Sequence, residues 1–131
     1  MKLNPDCIRD ILLFVESESS FLGVIRLDTK NIPDDSPISK YDRGVLLYHI
    51  RQCASSNLIT KVTYADLGDY VYVSDLTPSG HEFLAATRAE KNWAKTKTIA
   101  GKVGDFSFKA LSAIAEGVTG AAIKSYFEKN P

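Results

Sequence analysis

Glycine-rich phosphate loops, paired cysteine or histidine spacings and long apolar runs are all missing from this chain. Without a GxxxxGK[ST], GxSxG or HExxH pattern, no nucleotide cradle, nucleophile elbow or zinc-protease helix can be assigned. Cysteine is scarce, with only Cys7 and Cys53, and histidine is limited to His49 and His81. None of the four has the short paired spacing of a zinc site, so no metal and no cofactor is expected. A cysteine–histidine catalytic pair would need a third, orienting group that no motif supplies, and no catalytic residue is assigned. Cys53 reads as a small core residue, and His81 as a packed, hydrogen-bonded one. Both cysteines sit among apolar residues in helical patterns, which points to a reducing cytoplasm and against a structural disulfide. No apolar run approaches the ~20 residues of a membrane span, and the N-terminus lacks a signal-peptide layout. A charge of one sign is also absent: 16 Lys and Arg balance 16 Asp and Glu. Dedicated nucleic-acid binders are more often basic overall, although the placement of charge matters more than its sum.

What the chain does have is a stretch from Tyr41 to Leu84 with sharp local signals. Leu46, Ile50 and Cys53 recur at helical spacing within Tyr41–Asn57, and Asn57 suits the left-handed cap that would end that helix. Across Leu58–Leu76, Val62 and Tyr64 alternate with Lys61 and Thr63, and Val71 and Val73 with Tyr70 and Tyr72. This is strand periodicity on either side of a short loop in which Gly68 can take positive φ. Thr77-Pro78 then supplies an N-cap and a proline at the first helical position. Helix, ribbon, helix in this order is the back half of a winged helix-turn-helix.

The run Tyr48-His49-Ile50-Arg51-Gln52-Cys53-Ala54-Ser55-Ser56-Asn57-Leu58-Ile59 resembles a winged-helix recognition helix entering its "GLI" turn. Leu76-Thr77-Pro78-Ser79-Gly80-His81-Glu82-Phe83-Leu84 resembles the "LTxxGxxFL" signature that follows the wing. Together the two motifs are similar to a bacterial and prophage family known as domain of unknown function 2513, in which Arg and Trp follow the signature, as Arg88 and Trp93 do here. Asn57 stands where the family usually has glycine, and Cys53 where it has leucine. The opening helix Met1–Ser19 and the tail Val103–Phe127 fit as well, and the resemblance is weakest from Phe21 to Lys40. It implies a winged-helix fold and no particular chemistry.

The rest of the chain is read around that stretch. Asn4-Pro5-Asp6 opens a first helix with Ile8, Ile11, Leu12 and Val15 on one stripe. Gly23–Asp28 suits a short strand beside the wing. Asn31–Ser39 is a loop, leaving no comfortable room for a full second helix. Pro78 to about Lys102 reads as one long helix, with Gly80 permitting close packing near its start. The glycines Gly101 and Gly104 interrupt it. A last helix, capped by Asp105 or Ser107, runs to about Glu128. Its apolar stripe is Leu111, Ile114, Ala115, Val118 and Ala122, beside a small-residue ridge of Ala113, Gly117 and Ala121. The expected class is therefore α+β and mainly helical: a winged-helix domain over residues 1–84, with a C-terminal helical extension over 85–131 packed on it as one compact unit.

Two functions fit this reading. In the first, a small prophage-type regulator binds double-stranded DNA. Arg43, Tyr48 and Arg51 face the major groove, and Arg88, Lys91, Lys95 and Lys102 line a basic helix face that meets phosphate. In the second, the same surfaces contact a protein, for instance a host protein met by a prophage accessory protein. Asp66 and Asp69, at the wing tip, would repel phosphate. By default, such loop acids and a basic helix face are simply solvated. The ridge on Ser107–Phe127 predicts a homodimer through the last helices.

Overall fold

The computed structural model describes residues 1–130. The chain has a mainly helical α+β fold: a small antiparallel sheet in a winged-helix-like arrangement, followed by extra C-terminal helices. Its contacts divide it into two units, residues 6–81 in one and 1–5 with 82–131 in the other.

The first unit runs α1 (Pro5–Glu18), β1 (Ile25–Asp28), α2 (Arg43–Ser55), β2 (Thr63–Ala65) and β3 (Tyr70–Val73). The sheet order is β1-β3-β2, antiparallel throughout, with Ile25 opposite Val73 and Tyr64 opposite Val71. Ile25, Leu27, Val71 and Val73 are buried, as strand alternation requires when one face covers a core. Cys7, Ile8, Ile11, Leu12 and Val15 of α1 and Leu46, Ile50 and Cys53 of α2 are buried as well, so the apolar stripes read from sequence are core stripes. Between β1 and α2, where a helix-turn-helix protein has its second helix, the chain makes only successive turns. Ser36, Ser39 and Tyr41 each donate an amide to the carbonyl three residues back. Ile38, fully buried, pins that segment.

The turns follow the sequence chemistry. Asn57 takes φ 58°, and the Leu58 amide donates to the Cys53 carbonyl at 2.9 Å, closing α2 with a left-handed cap. Thr77 caps α3 (Pro78–Thr87) by accepting the Gly80 amide at 3.1 Å. Gly80 is required by space: a Cβ there would lie 2.1 Å from the Leu58 carbonyl oxygen, which already accepts the Thr77 amide.

The second unit corrects one expectation. The long helix read from Pro78 to Lys102 is two helices, α3 and α4 (Glu90–Val103), with Ala89 in an extended conformation between them. No glycine or proline marks the break, and tertiary contacts satisfy the groups it leaves. In an unbroken helix the Ala86 carbonyl would accept the Glu90 amide. Here it accepts the Thr119 hydroxyl at 2.9 Å, and the Trp93 ring meets Phe83 edge-on at 6.2 Å. Gly104, at φ 80°, ends α4, while Gly101 stays inside the helix. Ser107 caps α5 (Phe108–Lys129) by accepting the Ala110 amide. On α5, Leu111, Ala115 and Val118 are buried, while Ala122 and the ridge Ala113, Gly117 and Ala121 are exposed.

Candidate functional site

The wing turn is the most constrained backbone in the first unit. Asp66, Leu67 and Gly68 take φ values of 52°, 57° and 89° in succession. The sequence pointed to Gly68 for positive φ; the two residues before it share the conformation without glycine's freedom. A left-handed conformation costs a residue with a Cβ roughly 1–2 kcal/mol, so the surroundings must hold it. They do so through Thr29 and Arg43. The buried Thr29 hydroxyl donates to the Gly68 carbonyl at 2.6 Å, and its amide donates to the Asp69 carbonyl at 2.9 Å. From the first turn of α2, Arg43 donates Nε to Thr29 Oγ1 at 3.1 Å. Its Nη2 donates to the Leu67 carbonyl at 3.1 Å and to Asp69 Oδ1 at 2.8 Å. The ammonium of Lys30 lies 3.3 Å from the other Asp69 oxygen and has its pKa raised by that carboxylate. Asp69 is therefore not a solvated loop acid, and Arg43 is bound within its own domain. Leu47 packs against the same turn, where a Cβ on Gly68 would lie 2.9 Å from its side chain.

Further along α2, Arg51 is exposed and lies 5.6 Å from the centre of the Tyr48 ring. Tyr48 is half-buried and meets the buried His49 edge-on, while His49 Nδ1 lies 2.8 Å from the Val45 carbonyl. On β2, Tyr64 is 43% exposed; burial of the rest of the side chain raises its phenol pKa, and the nearby Arg51 charge acts to lower it. Arg51 thus sits among two tyrosines. Asp66 is exposed at the tip of the wing beside Leu67, which is 99% exposed. Sequence reasoning missed Thr29, Tyr64 and Leu67. Alternation puts Tyr64 on the face of its buried partner Val71, so its exposure was not legible, and nothing in the sequence marked the other two.

Lysines 91 and 95 project from α4, with Lys102 on the same side at helical spacing. Arg88 precedes the helix and so does not continue that face. His81, expected to be packed, is exposed. The buried thiols are held in their protonated form: burial pushes Cys7 up to about 12 and Cys53 higher still. Among the described residues, no group of three or more His, Cys, Asp or Glu side chains is placed to hold a metal ion. Nor, among them, is any helix long and apolar enough to cross a membrane.

The two units also differ in charge. Residues 6–81 carry seven Lys and Arg against eleven Asp and Glu; the remainder carries nine against five.

Comparison with known proteins identifies the family. An uncharacterized protein of Haemophilus influenzae strain Rd is 32% identical over 120 residues, covering 90% of this chain and 95% of the relative. No solved structure matches. The family described as hypothetical protein (DUF2513) matches residues 2–105, and the chain belongs to it.

Proposed function

We propose that this protein is a winged-helix interaction module that acts by binding a protein rather than by catalysis. The observation that carries this reading is the state of the surface where such a fold would meet DNA. Arg43, at the start of α2, has its guanidinium turned inward on Asp69, Thr29 and Leu67. What α2 and the wing leave outward is Arg51 with Tyr48 and Tyr64, an exposed leucine and an exposed acid. Tyrosine and arginine dominate the energetic centres of protein interfaces. An apolar, acidic wing on a unit of net negative charge suits a protein better than a phosphate backbone.

The DNA reading retains one favourable observation: α2 has no carboxylate, and the Arg51 guanidinium is exposed for a guanine edge. Fluorescence anisotropy with labelled duplexes, random and from the protein's own genome, separates the two across a salt series. Protein binding predicts no duplex binding beyond weak, sequence-blind association that disappears with salt. Sequence-dependent binding that Arg51→Ala weakens by ~1–3 kcal/mol would overturn it. The partner itself is sought by comparing captures with wild-type protein and with Leu67→Glu, which changes only an exposed side chain. The exposed ridge on α5 further supports pairing of two copies through that helix. Light scattering should report a dimer that Gly117→Leu converts to monomer; monomeric wild-type protein at high micromolar concentration would exclude it.

A further inference from the structure

A groove of about 380 Å³ runs between α4 and the last turns of α5. Its apolar floor is Val118, Ala121 and Ala122, and lysines 91, 95 and 129 stand along it. No carboxylate lines it. The groove exists because the helices differ in length: α5 has 22 residues and α4 has 14. At ~1.5 Å per residue, α5 overhangs by about 12 Å. The stripe that buries Leu111, Ala115 and Val118 continues through Ala122 and Ser125, where nothing in the unit covers it. Among the described residues, Lys91, Lys95 and Lys129 make no ion pair within 4 Å.

We infer that this groove binds one acidic amphipathic helix of a partner protein, which lies on the small-residue floor and presents carboxylates to the lysines. The inference rests on the protein-binding reading above and names the chemistry of one partner segment. Two features select this occupant. Alanines in the floor let a helix backbone approach closely, and a third helix completes the hairpin's unfinished stripe. The lysines have no carboxylate in the groove to answer them, so the complementary charge must come with the ligand. A nucleic-acid backbone would meet the same lysines but would leave the apolar floor uncovered. A second copy of α5 in the groove would bring Lys109, Lys124 and Lys129 with only Glu116 and Glu128, a net positive helix, toward three lysines.

The test pans a random 16-residue peptide library on the full chain at physiological salt. It then measures affinities for the enriched peptides with wild-type protein and with the Lys91→Glu/Lys95→Glu double variant. Both lysines are exposed, so the variant keeps its fold, checked by circular dichroism. The expected result is enrichment of net-acidic sequences with apolar residues three and four apart. Their binding should weaken at least about tenfold in the double variant and fall with added salt. Enriched peptides without acidic bias, or with unchanged affinity for the variant, would overturn the groove while leaving a protein-binding module intact. Failure to enrich any peptide would overturn the groove, and duplex DNA that binds wild type and not the variant would overturn the protein-binding reading as well.

Discussion

Arg43 and Lys95 are both exposed cations on α-helices, yet they have opposite surroundings. Arg43 makes three hydrogen bonds that fasten α2 to the wing turn and to Thr29, and Lys30 and Lys40 of the same unit each lie within 3.3 Å of a carboxylate. Lys40 meets Asp10, which also accepts the Tyr41 hydroxyl at 2.6 Å, so the loop before α2 is tied to α1 by the same means. Lys91 and Lys95 stand over an open apolar floor with no carboxylate beside them. A cation on a helix face is therefore no guide to ligand contact until its intramolecular partners are known. Arg43, Lys30 and Lys40 hold irregular backbone, whereas Lys91 and Lys95 make no ion pair among the described residues.

Substitutions can break or sharpen this contrast. The largest effect is expected from Trp93→Ala, which empties the packing beneath the α3–α4 break and should cost about 4 kcal/mol, read as a lower urea midpoint. Arg43→Ala comes next. Its ion pair with Asp69 is partly solvated and adds little, but the Leu67 carbonyl and Thr29 hydroxyl lose their donors beside strained backbone, for a loss of about 2 kcal/mol. Leu67→Gly should act in the other direction, raising stability by about 1 kcal/mol, because the side chain is exposed and its φ suits glycine. Stabilisation accompanied by loss of partner capture would mark Leu67 as a contact residue held at a conformational cost. Lys95→Ala should leave stability within about 0.5 kcal/mol. A Lys95→Ala loss matching that of Arg43→Ala would erase the contrast. Smallest is the thiol test: Ellman's reagent should find both cysteines inert in native protein and reactive once it unfolds, since each is buried with its pKa raised.

The parts legible from sequence were those governed by neighbours along the chain. The α2 stripe, the Asn57 cap, the Thr77-Pro78 start and the added strand β1 all follow from local spacing or local conformational preference. The order helix, ribbon, helix pointed to the winged helix, and resemblance supplied the family. The break after Thr87 was illegible because the group that answers the freed Ala86 carbonyl is Thr119, more than thirty residues away. The binding of Arg43 was illegible for a related reason: its partners Thr29 and Asp69 come from β1's end and the wing, and nothing in α2 announces them. On the candidate surface, sequence reasoning named Tyr48 and Arg51 but not Tyr64, because the tyrosine becomes their neighbour only when the ribbon folds against α2.

The strand order sets a schedule for folding. Tyr64 and Val71, paired across the wing, are close in sequence, so that hairpin can form early at a small entropic cost. Ile25 pairs with Val73, and Asp28 with Tyr70, only after all of α2 and the wing have been enclosed between them. Closing that span is the long-range event, and such events slow folding. The hypothesis that β1 joins last is open to φ-value measurement. Truncating Leu27 should speed unfolding and barely change the folding rate, whereas Val71 should show partial structure in the transition state. A high φ at Leu27 would reverse the order. Until β1 docks, β3 is an open edge, and the chain is exposed to pairing with other copies of itself during that interval.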